Sequence, residues 1–246
     1  MRVFVHGVPE TADVYGPLRA ALAGPSMAVG LPGFGCDRPA GFDASKEAYV
    51  DWLGREIMQI AERTGEAVDL VGHDWGAALT IKLALDEHEA LRSWAIDVAG
   101  IIHPDYVWHD TAQLWQTPEQ GEAVIAAMVA AGADLASSYE AFGLGASDAA
   151  MLAGWIDADM GACILSLYRS ATPNIFADWG PLGPTAPPGL IIHAENDAFS
   201  DAALGADVAR STGASVVQLD GAGHFWPLQA PEAAASLLQD FWSSLD

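Results

Sequence analysis

The sequence predicts an α/β fold, with a mostly parallel sheet of about six strands and one helical insertion. Three observations carry this. Short apolar runs rich in β-branched residues alternate with longer segments of helical period. The short runs are continuously apolar, as strands must be when helices cover both faces of a parallel sheet. The alternation breaks once, between about residues 102 and 187, in a stretch that is helix-rich and offers no convincing strand.

Taken in order, residues 2–6 (RVFVH) read as the first strand, 14–22 as a helix and 26–30 (SMAVG) as the second strand. A helix at 46–63 leads to strand 67–72 (AVDLVG), helix 76–87 and strand 93–98 (SWAIDV). After the insertion, which ends in the loop-like GPLGPTAPPG, come strand 189–193 (GLIIH), helix 201–211, strand 214–219 (ASVVQL) and helix 231–242. The expected organisation is a core of residues 1–101 and 188–246 with a helical cap at 102–187.

Composition narrows the function. Half of the 246 residues are hydrophobic and 17% are charged, a globular balance. The net charge of −23, with ten Lys and Arg, would repel nucleic acid phosphates and anionic membranes, so neither is expected as a partner. The longest apolar run, residues 123–133, is shorter than a bilayer span, and the N-terminus has no secretory pattern. Two cysteines far apart, Cys36 and Cys163, fit reduced thiols in a cytoplasm better than a disulfide or a zinc site. No metal or cofactor motif is present: GFGCDRP lacks the lysine and spacing of a phosphate loop, and Asp97, His103 and His109 match no compact ligand pattern.

Ligands of an open parallel sheet bind at the carboxyl ends of its strands. Those ends read His6-Gly7-Val8-Pro9, Pro32-Gly33-Phe34-Gly35, Gly72-His73-Asp74-Trp75-Gly76, Asp97, His193-Ala194-Glu195-Asn196-Asp197 and Gly221-Ala222-Gly223-His224. Asp74, Asp197 and His224 thus fall on one edge, in the order nucleophile, acid, histidine that belongs to the α/β-hydrolase fold. Over nearly its full length the chain resembles the epoxide hydrolases and haloalkane dehalogenases. HGVPE resembles their oxyanion loop, LPGFGCDRP the following loop, GHDWGA the nucleophile elbow and GAGHFWPLQAPE the histidine loop. The two leading strands of the usual eight-stranded sheet have no counterpart, which leaves about six.

This resemblance implies that Asp74 attacks an sp³ carbon and forms an alkyl ester, whose carbonyl is then open to water. His224 would activate that water, oriented by Asp197, while the N–H groups of Val8 and Trp75 hold the oxyanion. Asp97, at the end of the fourth strand, is the alternative acid, in the place that a subset of dehalogenases uses. In the insertion, Leu165-Ser166-Leu167-Tyr168-Arg169 resembles the epoxide hydrolase segment whose tyrosine hydrogen-bonds the epoxide oxygen. The second such tyrosine falls near Thr111 by register, with Tyr106, Trp108 and His109 as neighbouring candidates. For a dehalogenase, the indole N–H of Trp75 would hold the halide, with Trp108 or Trp115 as second donor. The substrate expected is a small apolar organic molecule, together with water. Epoxide hydrolysis ranks first and dehalogenation second; an ester or lactone hydrolase and a catalytically silent binding module follow. Each residue also has a plainer reading: Asp74 as a helix N-cap, Tyr168 as a core tyrosine, His73 as packing. Oligomeric state stays open.

Overall fold

The computed structural model describes residues 1–245. Its six strands are β1 (Arg2–Val5), β2 (Ser26–Val29), β3 (Val68–Gly72), β4 (Leu91–Ile96), β5 (Gly189–Ala194) and β6 (Ser215–Leu219). They pair in the order β2-β1-β3-β4-β5-β6, all parallel. The centre of the sheet is apolar on both faces, with Val3, Phe4, Val5, Leu70, Val71, Trp94, Ile96 and Ile191 all buried. Only the edge strand β6 opens to solvent, at Val216. Register brings Val5 level with Gly72, and Gly72 level with Ile96, so these three strands end at one height.

Helices α1 (Gly16–Ala21), α2 (Lys46–Thr64) and α3 (Trp75–Leu85) connect the first strands; α9 (Ala202–Thr212), α10 (Trp226–Gln229) and α11 (Pro231–Ser243) complete the chain. Between β4 and β5 lie α4 (Asp110–Gln116), α5 (Gln120–Ala131), α6 (Ala136–Ala141), α7 (Ala146–Trp155) and α8 (Ala158–Ser170), the helical insertion expected from the broken alternation. Caps set several of these ends. Ser45 accepts from the Ala48 N–H at the start of α2, Gly65 closes it at φ 71°, and Asp157 accepts from the Met160 N–H to start α8.

Most strand ends shift by at most a single residue from the sequence reading, and three elements differ by more. The first helix splits into a 3₁₀ turn (Ala12–Tyr15) and α1, because Pro17 suits only a first turn. Helix α3 stops at Leu85, and Glu87 beyond it has φ 53°. Strand β4 begins two residues early and ends at Ile96, which leaves Asp97 just beyond the sheet. The apolar run at 123–133 also belongs to a longer helical stretch, Gln120–Ala141, which by length and composition alone could cross a membrane. A 3₁₀ turn at Gly132–Leu135 interrupts it, and Val124, Met128, Leu135 and Tyr139 along it line the cavity described below.

Candidate active site

Asp74 occupies the turn from β3 into α3 with φ 51° and ψ −117°, a conformation that costs a non-glycine residue roughly 1–3 kcal/mol. Its surroundings hold it there. The Asp74 N–H donates to Asp97 Oδ1 at 2.9 Å, and the Ala77 N–H donates to the Asp74 carbonyl at 2.9 Å. Close approach is possible only because Gly76 lacks a side chain: a Cβ there would lie 2.3 Å from the Val5 carbonyl oxygen. The Asp74 carboxylate makes no capping bond to α3. It is presented, not used as an N-cap.

That carboxylate faces the loop after β1. Val8 N–H donates to Asp74 Oδ1 at 2.9 Å, and the Trp75 N–H lies near enough to ease the carboxylate's charge. At Gly7 a Cβ would sit 2.4 Å from Asp74 Cβ, so the loop reaches the acid only as glycine. Burial pushes the Asp74 pKa up to about 6, and the neighbouring His224, His73 and the two N–H groups restrain the rise.

His224 lies on the loop after β6, with Nδ1 3.1 Å from Asp197 Oδ2. The other Asp197 oxygen accepts from the Phe199 N–H at 2.8 Å, which fixes the carboxylate. Burial lowers the His224 pKa most strongly, but the hydrogen bond to Asp197 together with the charges of Asp197 and Asp74 outweighs it, and the net shift is upward. Burial pushes Asp197 up, but its hydrogen bond to His224, the charge of that ring and the Phe199 N–H together carry it below the ordinary carboxylate value. The imidazole sits between the rings of Phe199 and Phe225, at centroid distances of 4.8 and 5.0 Å.

Asp97, the alternative acid, is occupied elsewhere. One oxygen holds the Asp74 N–H; the other meets His73 Nδ1 and the Trp226 indole N–H. His73 in turn has Nε2 3.1 Å from Glu10 Oε1, and Glu10 Oε2 accepts from the Gly7 N–H at 3.1 Å. His73 is therefore no mere packing residue but the centre of a buried acid–imidazole–acid chain beneath the elbow. Burial opposes charge on His73, yet Asp97 and Glu10 prevail and hold its pKa well above that of free imidazole. Glu10 is correspondingly lowered, against its burial, by the charge of His73.

Above the carboxylate is a cavity of about 320 Å³. Asp74, His224, Val8, His109, Thr111 and Tyr168 line it, within an apolar wall that includes Trp115, Tyr139, Phe142 and Phe199. Tyr168, on α8, is buried against Trp75, Trp108 and Trp115 at ring distances of 5.2, 5.0 and 4.8 Å. Burial, then the charge of Asp74, raises its phenol well above the ordinary range and keeps it protonated. Trp108 lies outside this cavity wall and spends its N–H on the Ala171 carbonyl at 3.1 Å. Among the described residues, the indole nitrogens of Trp75 and Trp115 are buried and find no hydrogen-bond partner. The inserted helices are joined to the histidine loop by Gln229, which accepts from Gly223 N–H and donates to the Phe142 carbonyl, both at 2.9 Å.

Residues 3–237 match the sequence profile described as the alpha/beta hydrolase family. The chain belongs to that family. Solved structures of similar fold include a loop variant of the haloalkane dehalogenase DbeA from Bradyrhizobium elkanii (TM-score 0.74, 20% identity, covering 99% of this chain and 89% of that one). A protein from Pseudomonas aeruginosa classed as an epoxide hydrolase gives a TM-score of 0.73 at 20% identity, over 99% of this chain and 88% of that one. The thioesterase domain from the curacin biosynthetic pathway gives 0.68 at 16% identity, over 97% and 90%. One scaffold thus carries several chemistries, and the side chains must decide among them. No curated protein sequence matches the chain.

In this alpha/beta hydrolase the sequence reading brings together Asp74, Val8, Trp75, His224, Asp197 and Tyr168, and places His109 and Thr111 on the cavity wall. It misses Glu10, which stood in the quoted HGVPE as the last residue and carried a signal: an acid directly after an apolar loop has to be satisfied by something. It also misses the aromatic wall of Tyr139, Phe142, Phe199 and Phe225, whose spacing along the chain gives no hint of convergence.

Proposed function

We propose that this hydrolase opens small apolar epoxides through a covalent ester on Asp74 and hydrolyses that ester to a diol. The observation that carries the reading is the placing of a buried, uncapped carboxylate under a protonated phenol. Asp74 Oδ1 is held by Val8, and Tyr168 shares its cavity.

In the first step the free Asp74 oxygen forms a bond to a ring carbon, and the C–O bond of the epoxide breaks with its electron pair passing to oxygen. Tyr168 gives that oxygen its proton. In the second step His224 takes a proton from water, hydroxide adds to the ester carbonyl, and the oxyanion forms on Oδ1, which the Val8 N–H already holds and the Trp75 N–H would join. Each such donor is worth roughly 3–4 kcal/mol to the transition state. Collapse frees the diol and Asp74, and the proton left on His224 returns to the Tyr168 phenolate. Asp197 stabilises the charged imidazole between these events. Residues 1–101 and 188–246 would supply the chemistry, and the cap at 102–187 the phenol and most of the apolar wall.

Tyr168→Phe tests the reading. It should lower diol formation from styrene oxide at least 10²-fold, a typical contribution of a general acid, while the melting temperature stays within a few degrees because the ring packing is kept. Unchanged turnover would exclude the phenol as acid. A second reading, haloalkane dehalogenation, is supported by the unpartnered indole N–H groups of Trp75 and Trp115, which are donors suited to halide. Halide release from bromoalkanes, with no diol from epoxides, would select it.

A further inference from the structure

The main cavity has a neighbour. Beside the histidine loop lies a groove of about 490 Å³, whose walls include Asp148, Asn196, Gln229 and the backbone of Gly221 and Gly223. The side-chain amide of Asn196 is exposed and bonded to nothing else among the described residues. Phe142 is the one residue, of those described, that borders both this groove and the main cavity.

The main chain of Phe142 is fixed and its ring is not. Its N–H donates to the Tyr139 carbonyl at 3.0 Å, and its carbonyl accepts from Gln229 at 2.9 Å. The side chain is 40% exposed and rests only against aromatic faces, with ring centroids 5.6 Å from Phe199 and 6.1 Å from Phe225. Side chains of such exposure change rotamer in picoseconds to nanoseconds. Turning this ring gives up two aromatic contacts and breaks no hydrogen bond.

We propose that Phe142 is a movable partition within one binding site, and that the groove takes the far end of epoxides too long for the main cavity. The oxirane lies at Asp74, the apolar chain passes the turned ring, and an uncharged hydrogen-bonding end group such as a hydroxyl meets Asn196 and Asp148. A carboxylate end is unsuited: Asp148 carries the like charge, no Lys or Arg is among the described walls, and the whole chain has a net charge of −23. Each space is within the range of about 300–1,000 Å³ typical of ligand sites. This deepens the epoxide reading above and rests on it; the bonds made and broken are the same.

The test is diol formation from straight-chain terminal epoxides of increasing length, ending in methyl, hydroxyl or carboxylate. Phe142→Ala should raise the ratio of kcat/KM for the longest to the shortest hydroxyl-ended member at least tenfold, with the melting temperature near that of the parent. Should the alanine protein fail to fold, Phe142→Leu should move the same ratio in the same direction. Asp148→Asn should raise carboxylate-ended members against hydroxyl-ended ones at least threefold among the longest, and leave that preference unchanged among the shortest, which end inside the main cavity. A length ratio unmoved by the change at 142 would overturn the partition. So would an Asp148→Asn effect that is equal at all lengths, the mark of overall charge alone. If the parent forms no diol from any member or from styrene oxide, the epoxide reading falls and the partition with it; diol from styrene oxide with an unmoved ratio overturns the partition alone.

Discussion

The carboxyl of Asp74 has a pKa of about 6 in the folded chain against an ordinary 3.8, mainly because it is buried. Being an acid with a raised pKa, it binds a proton more tightly folded than unfolded. Its charge therefore opposes folding above about pH 6, and the penalty is relieved as pH falls from 6 toward 3.8. A shift of about two units corresponds to roughly 3 kcal/mol. Asp74→Asn keeps an oxygen for the Val8 N–H and removes the charge. The variant should form no ester, yet unfold about 3 kcal/mol less readily than the parent at pH 8. About half of that gain should remain at pH 5, and almost none near pH 3.8. Urea titrations of both proteins at these three pH values check it, with midpoints compared at equal slope. A gain that does not change with pH, or a loss of stability at pH 8, would refute the claim that burial of the Asp74 charge strains this site.

Three further outcomes follow from the same network. In the proposed mechanism ester formation requires Asp74 ionised, so its rate in stopped-flow mixing should fall about tenfold for each pH unit below about 6 and level off above 7. The two candidate acids should fail in different ways. Asp197→Asn should slow ester hydrolysis by a factor on the order of 10³–10⁴ with ester still accumulating, since the orientation of His224 and the stabilisation of its charged form are lost while Asp74 is untouched. Asp97→Ala should cost about 3–5 kcal/mol in unfolding free energy, because it strands the charge of His73 and frees the elbow N–H.

The strands were legible because apolar, β-branched residues dominate short runs between helical segments; the pattern is strongest at β1 and β5, which are largely buried, and weakest at the edge strand β6, where Ser215, Val216 and Gln218 face solvent. The elbow was legible because Gly72 and Gly76 flank Asp74 at a spacing that close backbone approach demands. What escaped the sequence depends on direction in space. His73 and Glu10 are 63 residues apart, and nothing local says that one bonds the other. Asp97 and Asp197 both end strands and could each face His224 until the strand order places β5, not β4, beside β6. In the insertion, helical period separates buried from exposed positions, but it cannot say that His109 caps a helix and also borders Asp74.

The link through Gln229 has a bearing on how such a protein can change over generations. Its acceptor among the inserted helices is the main-chain carbonyl of residue 142, not a side chain. Any amino acid at 142 presents that oxygen, so the wall of the cavity can drift from Phe142 to something smaller or more polar without losing its anchorage. The partner on the other side, the Gly223 N–H, is likewise backbone. New substrate shapes can therefore be tried at 142 while the histidine one residue beyond Gly223 keeps its place, and the burden of invariance falls on a single glutamine.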